Sequence, residues 1–289
     1  PVTATVFAPG GETVIVGSQA GLVIYQWPRL EQLRVLETQL VSIHDLAFSP
    51  DGRILAAGGG SPSEEGQVEL LSWPNGVSRG VLSGHEDSVT AVAWSDDDKL
   101  ATASLDHTIA VWDLKTRKVV QRLNGHSKGV TTLSFLEDGT RLLSGSLDNN
   151  LRLWDLESGA VMRSFNNHTK EIQRLAIRPY VSGLPMAASI SADRTVRLWQ
   201  PTIGRMVRFI RLSSIPLDVA WSHDGLWMAV SCEDGMVRLL DPDTLAIVRE
   251  LPAVGDWEYS LAVHPSDGSL IVGGRNGQIR RIVATTAGG

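Results

Sequence analysis

The chain has 289 residues, 43% hydrophobic and 20% charged, with a net charge of −6. That length suits one large domain or two small ones, and no run of 18 or more apolar residues is present to form a membrane span. The negative balance argues against nonspecific nucleic-acid binding. With Cys232 the only cysteine, no intrachain disulfide can form, so an oxidising compartment is neither required nor excluded.

In chain order, short alternating runs rich in Val, Leu, Ile and Thr read as strands. They are punctuated by "SPDGR" (49–53), "LEDGT" (136–140), "SHDGL" (222–226) and "PSDGS" (265–269). Asp and Gly there supply the side-chain bonds and positive φ values of hairpin turns. No segment sustains a 3.6-residue apolar period, so almost no helix is expected. The opening "PVTATVF" has neither a Met nor a charged-then-apolar leader. It is consistent with a fragment, and the compartment is left open with a slight preference for the cytoplasm.

Residues 84–114, "GHEDSVTAVAWSDDDKLATASLDHTIAVWDL", hold His85, Ser104 and Asp106, the residue types of a hydrolytic triad. Residues 125–156 repeat the pattern with His126, Ser146 and Asp148, and a third copy carries His168, Ser191 and Asp193. Each copy ends in a Trp six residues after its Asp: Trp112, Trp154 and Trp199. One substrate needs one nucleophile in one geometry, so a triad recurring at a fixed period points to architecture instead. The Trp slot continues through Gln26, Leu71, Leu240 and Ile282 at intervals of 41–45 residues. Seven slots at the period of a four-stranded propeller blade predict an all-β, seven-bladed β-propeller over residues 1–289. The blades are expected at 1–37, 38–83, 84–124, 125–166, 167–211, 212–252 and 253–289.

"GH", then "SLD", then "IAVWD" or "LRLWD" resembles the WD40-repeat family, strongly in blades 3 to 5 and weakly elsewhere. The resemblance implies that His, Ser, Asp and Trp form one buried hydrogen-bond chain per blade: His85, Ser104, Asp106 and Trp112, then His126, Ser146, Asp148 and Trp154, then His168, Ser191, Asp193 and Trp199. The chemistry fits, because indole only donates, carboxylate only accepts, and the hydroxyl and a neutral imidazole do both. Such a hydroxyl is occupied and a poor nucleophile. Blade 6 lacks the chain, with Leu212, Cys232 and Leu240 in the His, Ser and Trp slots, and Cys232 reads as a buried filler. Blades 1 and 2 lack the His and Asp, their Trp27 and Trp73 falling just past the slot, and blade 7 keeps only Asn276.

Blade 7 is expected to lack its outer strand, because "TTAGG" follows its third strand. The edge "QIRRIVA" (278–284) would then pair with residues upstream of Pro1 or with another chain, or the blade would simply stay three-stranded in an open closure. No cofactor and no metal are expected: the His residues lack ligand spacing, and "GGG" at 58–60 runs into acidic "SPSEEGQ", unlike a phosphate loop.

The resemblance places partner binding on the narrow face, where turns enter each blade. Asp87, Lys128 and Lys170 come from those turns, Leu105, Leu147 and Arg275 precede the Asp slots, and Asp256 and Trp257 belong to "GDWEYS". Trp257, expected beside Leu105 and Leu147, is the candidate anchor. Basic residues concentrate in 141–212, and Arg174, Arg178, Arg194, Arg205 and Arg208 could meet an acidic peptide near blades 4 and 5. The function expected is a noncatalytic, monomeric platform for a protein or peptide partner, with neither nucleic acid nor membrane. The alternatives are a propeller module of a larger bacterial enzyme or redox protein, and a hydrolase using His85, Ser104 and Asp106.

Overall fold

The computed structural model describes residues 1–95, 97, 99–179, 183–255 and 257–284, with the side chain of Glu258 excepted. It is a seven-bladed β-propeller. Six sheets have four antiparallel strands each, spanning 2–36, 43–85, 89–124, 130–165, 172–211 and 216–252. The seventh, 258–282, has three among the described residues. The inner strands are Val2–Phe7, Ile43–Phe48, Val89–Trp94, Val130–Phe135, Ile172–Ile177, Pro216–Trp221 and Glu258–Val263. Each packs beside the inner strand of the next blade, and Val2–Phe7 packs on Glu258–Val263, which closes the ring. A single 3₁₀ turn, Pro201–Ile203, is the only helix among the described residues.

The sequence makes this shape because the second strands of the blades are buried on both faces. The second strands of blades 3, 5, 6 and 7 are buried at every position. A strand buried on both sides needs a sheet stacked on each side, which a ring of blades supplies to every sheet. The apolar core accordingly divides into seven clusters, one per junction between neighbouring blades. Each fully buried Leu, Ile or Val contributes about 1.5–3 kcal/mol relative to exposure. Outer strands turn one face to water and alternate, as in Lys118–Asn124.

The junction of blades 7 and 1 is sealed by aromatic rings. The His264 ring stacks on Trp27 at 5.7 Å, and Phe7 meets both edge-on at 4.8 and 5.0 Å. His264 Nε2 lies 3.0 Å from the Gly11 carbonyl, and Nδ1 lies 3.1 Å from the Asp267 backbone nitrogen and 3.0 Å from its carboxylate.

Strand register moves one slot. Leu100 pairs with Trp112 and Leu142 with Trp154, and the matching pair in blade 1 is Val14 with Tyr25. Tyr25, not Gln26, therefore holds the Trp slot of blade 1. Side chains alternate across a strand, so the one-residue offset would have turned an exposed glutamine inward.

Candidate functional site

The three braces form, with one correction each. Trp112 Nε1 donates to Thr102 Oγ1 at 2.8 Å, that hydroxyl lies 2.7 Å from His85 Nε2, and His85 Nδ1 lies 2.8 Å from Asp106 Oδ2. Blade 4 repeats the chain through Trp154, Ser144, His126 and Asp148, at 2.8, 2.8 and 2.9 Å. Blade 5 repeats it through Trp199, Ser189, His168 and Asp193, at 2.8, 2.8 and 3.0 Å. The hydroxyl is thus Thr102, Ser144 or Ser189, two residues before Ser104, Ser146 or Ser191. Residues i and i+2 share a strand face, so both hydroxyls point the same way. Leu100 pairs with Trp112, so Thr102 is the diagonal neighbour of the indole and within its reach, while Ser104 lies two residues farther along the strand.

Ser104, Ser146 and Ser191 perform a different task. Their hydroxyls donate to the carbonyls of Asp87, Gly129 and Lys170 at 2.7, 2.8 and 3.0 Å. They also accept the N–H groups of Asp106, Asp148 and Asp193 at 3.0, 3.0 and 3.1 Å. Each clasps the turn entering the blade to the turn bearing the Asp. All six hydroxyl residues are fully buried, so none presents a nucleophile to a substrate.

Charge follows the same geometry. Burial lowers the His126 and His168 imidazoles despite their carboxylate partners, His168 to about 4. With His168 neutral, Nδ1–H donates to Asp193 and Nε2 accepts the Ser189 hydroxyl proton. Burial alone would raise the aspartates, but it is outweighed. Bonds from Thr195, the Thr169 N–H and His168 bring Asp193 down to about 2. His85 with Thr108, and His126 with the Ser127 N–H, hold Asp106 and Asp148 well below the usual range. His85 ends the outer strand of blade 2 (Val77–His85) but bonds into blade 3, so its brace ties adjacent blades.

Two blades without the tetrad carry substitutes that the sequence pattern did not reveal. In blade 2, buried Glu69 accepts the Thr38 hydroxyl at 2.7 Å and the Gln39 N–H at 2.9 Å. In blade 6, Arg238 reaches Asp234 at 2.6 Å, Glu250 at 2.8 Å and Ser213 Oγ at 3.2 Å. Leu212, Val230, Cys232 and Leu240 fill the space beneath as one apolar cluster.

The face at the entering turns carries the other sequence candidates. Trp257 is 38% exposed, with the Arg275 guanidinium 5.3 Å over its ring and Tyr259 6.1 Å away edge-on. Leu105 and Leu147 lie together over Gly129, where an added Cβ would meet them at 2.8 and 3.4 Å. They belong to blades 3 and 4, across the ring from Trp257 in blade 7, so the expected adjacency is wrong: two blades intervene on either side. Lys128 and Lys170 are exposed. Asp87 is half-buried and accepts the Ser63 N–H at 2.9 Å, pinning the hairpin loop of blade 2. Asp256 lies outside the described residues.

The basic sector divides. Arg194, Arg205 and Arg208 are exposed on blade 5. Arg178 instead donates to the Gly225 carbonyl at 2.7 Å and stacks over Trp221 at 5.5 Å, joining blade 5 to blade 6. Arg174 is not on the rim. It lies in the central channel, 4.0 Å from both Asp45 and Asp218. Inner strands place it there because each has a β-bulge near its start, which redirects side chains at that point. Bulge residues Thr3, Thr90 and Thr131 each bond a carbonyl of the next blade, those of Ile43, Val130 and Ile172, and stitch the channel wall.

Among the described residues no group of three His, Cys, Asp or Glu side chains is placed to hold a metal ion. No helix is long and apolar enough to cross a membrane.

The family model "WD domain, G-beta repeat" matches residues 30–68, 76–113, 117–155 and 212–241. The chain is 25% identical to telomerase protein component 1 of Mus musculus over 79% of its own length and 9% of that protein's. It is 27% identical to the periodic tryptophan protein 2 homolog of Dictyostelium discoideum, over 81% of this chain and 26% of the relative. WD repeat-containing protein VIP3 of Arabidopsis thaliana is 32% identical over 36% of each chain. The chain thus spans about a quarter or less of the first two relatives.

Proposed function

Because this chain belongs to the WD40-repeat family of β-propellers, we propose that it is a noncatalytic platform that binds a protein or peptide partner on its entering-turn face. One observation carries the reading. The hydroxyls of Ser104, Ser146 and Ser191, and those of Thr102, Ser144 and Ser189, are buried and committed to neighbours, whereas the entering turns of the same blades present Lys128 and Lys170, and blade 7 presents Trp257 beside Arg275. Chemistry needs an accessible nucleophile in a cleft; recognition needs an exposed aromatic anchor with charged residues around it. The second supports this chain.

An aromatic anchor that becomes buried on binding contributes on the order of 2 kcal/mol or more. Immobilised wild-type chain, Trp257→Ala and Arg208→Ala are to be compared for the proteins they retain. The variant on the outer strand of blade 5 serves as the control, and melting curves confirm that all three fold. The reading expects a partner retained by wild type and Arg208→Ala but lost by Trp257→Ala. Retention of the same partners by Trp257→Ala, with loss in Arg208→Ala, transfers the site to the basic sector and overturns it.

A further inference from the structure

The central channel opens on the entering-turn face as a recess of about 580 Å³. Beneath it lies a smaller chamber of about 160 Å³. Arg174 lines both, and it divides them. Its guanidinium, carried by blade 5, reaches across the channel to blades 2, 3 and 6. Nη1 lies 3.5 Å from the Thr90 carbonyl, Nη2 lies 3.4 Å from the His44 carbonyl, and Asp45 and Asp218 each stand at 4.0 Å. Charge-assisted bonds of arginine close to about 2.7–2.9 Å. All these contacts are longer, so this guanidinium has donor capacity left.

The two chambers differ in charge. Asp45 and Asp218 line the lower one. The upper one has, among the described residues, no carboxylate in its wall; its charged side chains are Arg174 and Arg275, with Gln173, Tyr259 and the stitched threonines between them. A cationic floor and a cationic rim enclose a polar recess, and the counter-charges lie on the far side of the floor. We propose that this recess binds a carboxylate, with Arg174 beneath it and Arg275 at its rim, and that it accepts an acidic side chain of the protein docked on the surrounding face. The proposal rests on the platform reading and names the partner's chemistry.

The carboxylates below set the strength of binding. Burial pushes Asp218 up to about 6 against the opposing charge of Arg174, and burial raises Asp45 as well. Among the described residues, the ionisable groups around Arg174 are these two, His44, whose Nε2 lies 3.1 Å from the Gly60 carbonyl, and Tyr259 and Arg275 in the wall of the recess. When Asp218 takes up a proton, Arg174 loses a competing anion and its field acts on the recess. Carboxylate binding therefore tightens as pH falls through about 6.

The test uses the full chain and the probe N-acetyl-aspartate amide. Its side chain stays ionised well below pH 6, with a pKa of about 3.9. Binding is followed by the Arg174 Nε–Hε resonance at pH 7.5 and 5.2. A saturable shift is expected that is stronger at pH 5.2. Asp218→Asn keeps an acceptor for the Leu261 N–H at the expense of the one for the Val219 N–H, binds roughly threefold or more tightly at pH 7.5, and flattens the pH dependence. Arg275→Ala, a surface change, weakens binding without altering the melting curve. Arg174→Gln abolishes it. Because that variant strands two aspartates, the first two decide if it does not fold. Absence of a shift, an Asp218→Asn affinity no greater than wild type, or equal binding of N-acetyl-lysine amide overturns the proposal. These readouts involve no partner protein, so an empty recess with Trp257-dependent capture would refute the carboxylate site and leave the platform standing.

Discussion

Removing the hydroxyl at the centre of one brace gives a result whose size follows from the geometry. In Ser144→Ala the Trp154 N–H loses its acceptor and His126 Nε2 loses its donor, both at 2.8 Å. Trp154 and Ser144 are fully buried and His126 nearly so. A buried group left without its partner costs about 1–3 kcal/mol, so two of them put the loss at roughly 2–6 kcal/mol. For a chain of this size that lowers Tm by about 2–4 °C per kcal/mol. Urea unfolding of wild type, Ser144→Ala, Trp154→Phe and the double variant separates this bond from general packing. With phenylalanine in place there is no N–H to strand, so adding Ser144→Ala should cost about 1 kcal/mol less than it does in wild type. Strict additivity, or a single-variant loss under about 0.5 kcal/mol, would refute the brace.

Acid should act on the braces in two steps, read by urea unfolding between pH 7 and 3. His168 titrates near 4 when folded, against 6.5 in the unfolded chain, so the unfolded state binds more protons and stability falls as pH drops from about 6.5 to 4. The loss is on the order of 3 kcal/mol. Asp193, near 2 when folded, adds a second loss as pH falls from about 4 to 2, and a flat profile above pH 4 would contradict the assignment. Glu69→Ala should destabilise by about 2–3 kcal/mol, because it strands the Thr38 hydroxyl and the Gln39 N–H; calorimetry showing no change would remove its role as a substitute brace. Gly59→Ala should lower stability by more than about 3 kcal/mol or prevent folding, since its Cβ would fall 1.8 Å from the Ser42 carbonyl oxygen. A soluble variant with wild-type melting would show that the blade 2 turn can move aside.

The period of the Trp slot was sufficient to read the propeller, because each blade repeats one strand rhythm and one pair of turn signals. The hydroxyl of the brace was not legible in the same way. "LSGS" and "ASIS" place a Ser at both candidate positions, 144 and 146 or 189 and 191, and only cross-strand pairing tells which is the near diagonal neighbour of the indole. Glu69 and Arg238 escaped notice because they act from the third strand, outside the positions that define the motif. The channel charges had a signal: "HDL", "QRL" and "LDV" put Asp45, Arg174 and Asp218 at one position of three inner strands. Their convergence across the ring depends on blade order, which no local pattern encodes. The distance of Trp257 from Leu105 and Leu147 is likewise a property of the closed circle.

The most direct test of the claim that the recurring triads are braces is hydrogen exchange at the indole Nε1–H of Trp112, Trp154 and Trp199. The account predicts that all three rank among the slowest protons of the molecule, and that Ser144→Ala speeds Trp154 while leaving Trp112 and Trp199 protected. Rapid exchange of these indoles in the wild-type chain, or no response of Trp154 to Ser144→Ala, would mean that the hydrogen-bond chains do not hold the blades, and the argument against a reactive serine would lose its basis.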